Sequence, residues 1–179
     1  DFAAAARLAD LAILGQPRDG DPLVGQYALV ERCLFASGRP VLIVPANPLG
    51  TIGGGTIVVA WDSSAQAARA VSDAQTFLAD AKRVVLVAGL DDDSRGDENV
   101  SVDGMIAHLG RHGIEAETMT FPMSEGADVG RLLLSRSKEL GADLIVMGAF
   151  HHSRWRELIL GGVTLTMLEE ATIPLFMSH

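Results

Sequence analysis

Short apolar runs alternate with segments of helical periodicity along the chain from residue 56 onward. The runs are rich in valine, isoleucine and leucine and are bounded by turn residues, which is typical of buried β-strands. Between them, apolar residues recur every three or four positions, which predicts amphipathic helices. The predicted strands are 56–61, 83–88, 115–121, 143–147 and 174–178, and the predicted helices are 67–81, 100–112, 129–140 and 162–171.

Strands that alternate with helices predict right-handed crossovers, and therefore an α/β fold with a parallel five-stranded sheet and helices on both faces. Ligands bind such sheets in the crevice beyond the carboxyl ends of the strands. The loops after Trp61, Ala88 and Gly148 are therefore the candidate binding loops. The last strand is expected at an edge of the sheet, where free backbone groups favour pairing with another strand.

A weak internal repeat relates the start of the chain to its end. Residues 8–15 and 140–148 both contain Ala-Asp-Leu, three apolar residues and a glycine. Each copy is followed by a mixed segment and then by a short apolar strand, which Pro40 opens in the first copy and Pro174 in the second. The beginning of the chain therefore resembles the closing third of a domain whose complete copy follows.

The two copies are separated by a segment that is typical of a linker, with Pro48 and the glycines of 53–55. We expect residues 1–49 to be the terminal strand–helix–strand fragment of a first repeat together with this linker. Residues 50–179 are expected to form a complete domain. Because the sequence opens at Asp1 without a methionine, we also expect further sequence upstream.

Composition and charge narrow the class of protein. Of 179 residues, 48% are hydrophobic and only 5% aromatic, which favours an aliphatic core of the kind found in parallel sheets. The formal net charge of −9 disfavours binding to nucleic acid or to an anionic membrane. Cys33 is the one cysteine, so no disulfide can form within the chain, which fits a reducing compartment such as the cytoplasm. No apolar stretch has the length of a membrane span.

The loop after the fourth predicted strand carries the most specific pattern in the sequence. It starts at Gly148 and reaches the adjacent glycines Gly161 and Gly162 where the last helix is predicted to begin. Glycine allows a backbone to approach phosphate closely, and the first turn of a helix presents unsatisfied amides to an anion. The pattern therefore indicates a phosphate-binding loop that needs no lysine or arginine.

This loop resembles the ATP loop of the universal stress proteins, which has glycine, two residues, glycine, nine residues, and glycine followed by serine or threonine. Asp62, which ends the first strand of the complete domain, and the last strand opened by proline also resemble this family. Its tandem members carry two copies of the domain in one chain. The resemblance implies that Gly148 and Gly161 lie along the phosphates of ATP, that Asp62 lies near the adenosine, and that the backbone around Val87 lies against the adenine.

Two positions depart from the family pattern. His151 stands in place of the second glycine, where its side chain either obstructs the phosphates or pairs with them when protonated. Gly162 stands in place of the serine or threonine, which removes a hydroxyl that Thr164 can partly replace. The alternative is that the glycines serve only the sharp turn from strand to helix. The candidate cofactor-binding residues are Asp62, Val87, Gly148, His151, Gly161, Gly162, Val163 and Thr164.

These features favour a regulatory stress-response protein that binds an adenine nucleotide, with magnesium held mainly by the phosphates. We expect hydrolysis to be slow or absent, because no evident general base for water and no lysine stand in the loop. We expect no metal site of the protein's own: His108 and His112 share a helical spacing but lack a third ligand. The alternative function is a nucleotide-independent scaffold that pairs through its last strand, either as a homodimer or with residues 41–44 of the same chain.

Overall fold

The computed structural model describes residues 2–17, 23–46, 52–90, 97–122, 128–149 and 162–179. Seven helices and seven strands lie within these ranges. The helices are α1 (Phe2–Ala6), α2 (Leu23–Ala36), α3 (Ala65–Asp73), α4 (Gln75–Asp80), α5 (Asp97–Arg111), α6 (Val129–Glu139) and α7 (Gly162–Glu170). The strands are β1 (Ala12–Gly15), β2 (Val41–Val44), β3 (Thr56–Trp61), β4 (Arg83–Leu90), β5 (Ala116–Pro122), β6 (Ala142–Gly148) and β7 (Leu175–Ser178).

The strands form one sheet in the order β1-β2-β7-β6-β3-β4-β5. The five strands from β3 to β7 all run parallel, which confirms the predicted α/β fold with a parallel five-stranded sheet. The sheet is larger than predicted, because β1 and β2 extend it to seven strands. The junction between β2 and β7 is antiparallel, whereas β1 and β2 are parallel to each other.

As predicted, β7 is the edge strand of the parallel five-stranded sheet, and residues 41–44 of the same chain supply the strand that pairs with that edge. β7 lies between β6 and β2, so both of its backbone edges are used within the chain. All four of its residues are buried. Edge strands gain stability when a neighbouring strand satisfies their free backbone groups, and β2 provides that neighbour here.

Each face of the sheet is covered by its own hydrophobic core. On one face, side chains of β6 and β7 pack with α1, α2, α6 and α7. On the other face, side chains of β3, β4 and β6 pack with α3, α4 and α5. Because the central strands are buried on both faces, their sequences are continuous apolar runs rather than alternating ones. None of the described helices has the length and apolar character needed to cross a bilayer.

Local signals explain several of the helix ends. Ser64 is the N-cap of α3, and its side chain accepts a hydrogen bond from the backbone N–H of Ala67. Gly113 and Gly141 follow α5 and α6 with φ of 74° and 66°, a conformation that glycine adopts without steric cost. The single helix predicted over 67–81 is wrong, because the chain turns at Ala74 and forms α3 and α4 instead.

Candidate functional site

The turn after β3 presents a carboxylate at the carboxyl edge of the sheet. Asp62 is exposed, and its Oδ1 accepts a hydrogen bond of 3.0 Å from the backbone N–H of Ser64. Ser63 adopts φ of 62°, so the chain reverses direction within this short turn. The hydroxyl oxygen of Ser64 accepts the N–H of Ala67 at 3.0 Å and thereby starts α3. The turn fixes Asp62 beside the first turn of a helix.

Gly148 ends the neighbouring strand β6 and lies against the start of α3. A Cβ atom on Gly148 would come within 2.6 Å of the backbone N of Ala67 and 2.8 Å of the carbonyl carbon of Gln66. These distances are shorter than any that real Cβ atoms show, so only glycine fits without a shift of α3. The close packing places Gly148 next to the turn that carries Asp62. Tight packing therefore explains why position 148 requires glycine, independently of any ligand.

The start of α7 lies at the same edge of the sheet. β6 ends at this edge and the parallel strand β7 begins at the opposite one, so the helix between them starts beside the crevice. Gly162 is exposed, and a Cβ there would meet none of the described atoms within 4 Å. Val163 is 37% exposed, whereas Thr164 is buried. The amides of the first turn of α7 have no acceptor within the helix itself.

Val87 does not present its side chain at the crevice. It is 2% exposed and packs in the core on the α6 and α7 side of the sheet. β4 continues three residues beyond it, to Leu90, and lies between β3 and β5. A strand with neighbours on both sides uses its backbone groups in the sheet. The contact of the backbone around Val87 with adenine stays a prediction.

Of the predicted site residues, Asp62 lies in the turn that leads into α3, Gly148 packs against the first turn of α3, and Gly162, Val163 and Thr164 form the first turn of α7. His151 and Gly161 lie outside the described residues, so their placement stays a prediction.

Trp61 at this edge was missed by the reasoning from sequence, and so was Gln16, which lies at the opposite edge of the sheet. Trp61 ends β3, and its indole Nε1 is buried without a hydrogen-bond partner among the described residues. Gln16 follows β1, and its side-chain amide donates to the carbonyls of Leu168 at 3.1 Å and Ala171 at 2.9 Å. These carbonyls belong to the C-terminal end of α7, so Gln16 connects the first fragment of the chain to the helix that starts at the crevice. Neither residue carries a motif that predicts its position.

The C-terminal end of α7 is also held by an ion pair with α6. The guanidinium of Arg131 contacts the carboxylate of Glu170 at 2.7 Å. The hydrogen bond and the charge of Arg131 hold the pKa of Glu170 below its usual value. Within the described ranges, no three histidine, cysteine, aspartate or glutamate side chains are grouped as metal ligands would be.

Comparison with known proteins identifies the family. The model of the universal stress protein family matches residues 55–179. The chain therefore belongs to the universal stress protein family. A comparison with curated proteins finds no match.

Solved structures of the same family share the fold. A universal stress protein from Archaeoglobus fulgidus has a TM-score of 0.74 and 19% identity, over 98% of this chain and 64% of that one. A member of the family from Burkholderia pseudomallei has a TM-score of 0.55 and 25% identity, over 72% of this chain and 98% of that one. A universal stress protein in complex with cAMP has a TM-score of 0.55 and 21% identity, over 70% and 96%. The chain thus spans 64% of the length of the first of these structures.

Proposed function

We propose that this chain is a regulatory member of its family that binds an adenine nucleotide, ATP with magnesium, in the crevice beyond β3 and β6. The observation that carries the proposal is that Gly148 packs against the start of α3, the helix that follows the turn of Asp62, at the carboxyl ends of β3 and β6. A carboxylate accepts hydrogen bonds from ribose hydroxyls, and the first turn of a helix donates amides to phosphate. The relative in complex with cAMP supports an adenine nucleotide as the ligand class.

We propose weak rather than tight binding, because Gly162 lacks the hydroxyl that the family pattern has at this position. A hydrogen bond to a charged phosphate contributes about 1.5 to 3 kcal/mol. Its absence weakens ATP binding by a factor of about ten or more. With no evident general base, the bound nucleotide would act as a signal of state rather than as a substrate that turns over.

The missing hydroxyl can be restored in a matched pair of variants. Gly162 is exposed and a Cβ there would meet no described atom within 4 Å, so Gly162→Ser and Gly162→Ala both fit the described part of the structure without repacking. Isothermal titration calorimetry with ATP and magnesium should show about tenfold tighter binding for the serine variant and little change for the alanine variant. Equal affinities for the two variants and the parent would contradict phosphate binding at the start of α7.

A second variant tests the role of Asp62. Asp62→Asn keeps an oxygen that can accept the N–H of Ser64, so the turn is retained while the charge is lost. We expect it to weaken ATP and cAMP alike, because both carry the ribose and adenine. Asp80→Asn, an exposed change at the end of α4, is the control. Unchanged affinity for both nucleotides in Asp62→Asn would place the nucleoside elsewhere.

The alternative function is a nucleotide-independent scaffold, and the antiparallel pairing of β2 with β7 favours it. A homodimer that used β7 would have to displace β2, because the other edge of β7 is bonded to β6. We therefore propose pairing within one chain as the assembly that uses the last strand. A protein that binds neither ATP nor cAMP in any of the variants above would leave this scaffold as the working model.

A further inference from the structure

The histidine that follows β7 contacts the backbone that leaves β6. In the parallel pairing of these strands, Ser178 lies opposite Gly148, so His179 and Ala149 come next at the carboxyl edge of both strands. The backbone N–H of Ala149 donates to the carbonyl of Ser178 at 2.9 Å. Nδ1 of His179 in turn lies 2.9 Å from the carbonyl oxygen of Ala149. The imidazole thus adds one more hydrogen bond to the ladder between β6 and β7, directly after Gly148.

This hydrogen bond defines which imidazole nitrogen carries the proton. A carbonyl oxygen only accepts, so Nδ1 of His179 donates and, in the neutral imidazole, Nε2 carries no hydrogen. Ala149 is fully buried. Because a peptide unit is planar, a bond to the carbonyl of Ala149 also fixes the orientation of the unit through which the chain leaves the strand. His179 therefore helps to set the direction of the backbone one residue after Gly148.

The imidazole ring is also in contact with α2. The centroid of the Phe35 ring lies 4.1 Å from that of His179, with 54° between the ring planes. Phe35 is in the last turn of α2, and the strand that follows begins with Val41 opposite Met177 of β7. The end of α2 therefore lies at the same edge of the sheet as the candidate site. Aromatic contacts favour particular ring orientations, so Phe35 stabilises the orientation that directs Nδ1 to the carbonyl.

The backbone of β7 next to His179 is held by separate contacts. The hydroxyl of Ser178 donates to Oδ2 of Asp73 in α3 at 2.8 Å, and Ser178 is buried. β7 itself pairs with β6 on one side and with β2 on the other. We therefore expect the strand to keep its place when the side chain at position 179 is exchanged, so that the exchange affects only the imidazole and its two contacts.

We propose that His179 is a positioning residue of the proposed nucleotide site and that α2 tunes the affinity of this site through it. The inference rests on the proposed function, in which ATP occupies the crevice beyond β3 and β6. The hydrogen bond from His179 holds the backbone after Gly148 in place before the nucleotide arrives, and a site that is ordered in advance binds its ligand more tightly. Phe35 keeps the imidazole in the orientation that makes this bond. A displacement of α2 therefore changes nucleotide affinity through His179.

Two variants of His179 separate its hydrogen bond from its ring contact. His179→Asn keeps a donor near the position of Nδ1 without an aromatic ring, whereas His179→Phe keeps a ring against Phe35 without a donor. In calorimetry with ATP and magnesium, we expect His179→Asn to bind within about twofold of the parent and His179→Phe at least about fivefold more weakly, the loss of one hydrogen bond. Asp80→Asn is again the control. Equal affinities for the parent and both variants would overturn the positioning role and leave the nucleotide site in place.

Phe35→Ala tests the contribution of α2. We expect about threefold weaker ATP binding in the parent background and no further weakening in the His179→Phe background, where the ring no longer orients a donor. Leu8→Ala, which shortens another exposed apolar side chain of the first fragment, is the control and should bind ATP as the parent does. An equal loss from Phe35→Ala in both backgrounds would overturn the coupling through His179.

The tautomer of His179 gives a readout that needs no ligand. In isotope-labelled protein at pH 8, proton–nitrogen correlation spectra identify the imidazole nitrogen that carries the hydrogen, and the signals missing from His179→Asn belong to His179. We expect the hydrogen on Nδ1; a hydrogen on Nε2 would overturn the bond to Ala149, and with it this inference, whether or not ATP binds. A parent protein that binds no ATP contradicts the proposed function and the inference together, whereas ATP binding that His179→Phe leaves unchanged contradicts the inference alone.

Discussion

Replacing Gly148 by alanine tests whether the close approach of β6 to α3 is a structural requirement. The new Cβ would begin 2.6 Å from the backbone N of Ala67, and at least 3.0 Å is needed. The atoms in its way are backbone, so α3 has to move. That movement disturbs the hydrogen bond between Ser64 and the N–H of Ala67, which is 3.0 Å long. Overpacking costs about 1 to 3 kcal/mol, and a lost N-cap adds about 1 kcal/mol.

We therefore expect Gly148→Ala to lower the free energy of unfolding by about 2 to 4 kcal/mol. With a urea dependence of about 2 kcal/mol per molar, the midpoint falls by about 1 to 2 M. Gly162→Ala is the matched control, because a Cβ there meets none of the described atoms within 4 Å. On an exposed helical position it should be neutral or stabilising by up to about 1 kcal/mol. Equal midpoints for the two variants would refute the packing argument for Gly148.

Three further predictions concern residues away from the crevice. Gln16→Ala should lower the free energy of unfolding by about 1 to 2 kcal/mol in urea titrations, because carbonyls at the end of α7 lose their hydrogen-bond donor. Gln16→Lys should lower it by less, because the lysine ammonium is still a donor to these carbonyls. Glu170→Gln should be less stable than the parent at pH 7 in urea titrations. The difference should shrink as the pH falls through the folded pKa of Glu170, because Arg131 holds that pKa below its usual value and the stabilisation is lost when the carboxylate is protonated. Cys33 should react with a thiol reagent only at the rate of opening, since burial raises its pKa and its side chain is fully covered; rapid labelling in native buffer at pH 8 would contradict this.

The strands were predictable because strands that are buried on both faces have continuous apolar sequences. The apolar run 56–61 coincides with β3, and the runs for β5 and β6 differ from the structure by one residue at each end. The predicted helix stops at Gly113 and Gly141 are confirmed by their positive φ. In each of these cases, residues close in sequence determine the structure.

The features that were not predictable depend on contacts between distant parts of the chain. The helix predicted over 67–81 breaks at Ala74 although no glycine or proline marks the position. The break lets Leu78 enter the core and brings the ring of Phe77 to 5.6 Å from that of Phe176. The hydrogen bonds from Gln16 likewise join residues about one hundred and fifty positions apart, and the sequence around Gln16 carries no sign of them.

The position of the candidate site was predictable from the sequence, but the packing role of Gly148 was not. Asp62 and the cap at Ser64 follow from the end of an apolar strand and the residues after it. Gly148 fits a phosphate loop, and it also fits tight packing against α3; a glycine in a sequence does not distinguish these two roles. Only the structure shows that the packing role exists. Ligand binding at the same place stays a prediction.

The proposed nucleotide site is tested most directly by identifying the nucleotide that copurifies with the protein and by measuring its binding of ATP. The purified protein is denatured and removed, the released bases are identified by chromatography, and the emptied, refolded protein is titrated with ATP and magnesium by calorimetry. We expect an adenine nucleotide in the released fraction or measurable binding of ATP, and we expect Gly162→Ser to bind ATP more tightly than the parent. A protein that releases no nucleotide and gives no heat with ATP, in the parent and in Gly162→Ser alike, would contradict the proposed nucleotide site.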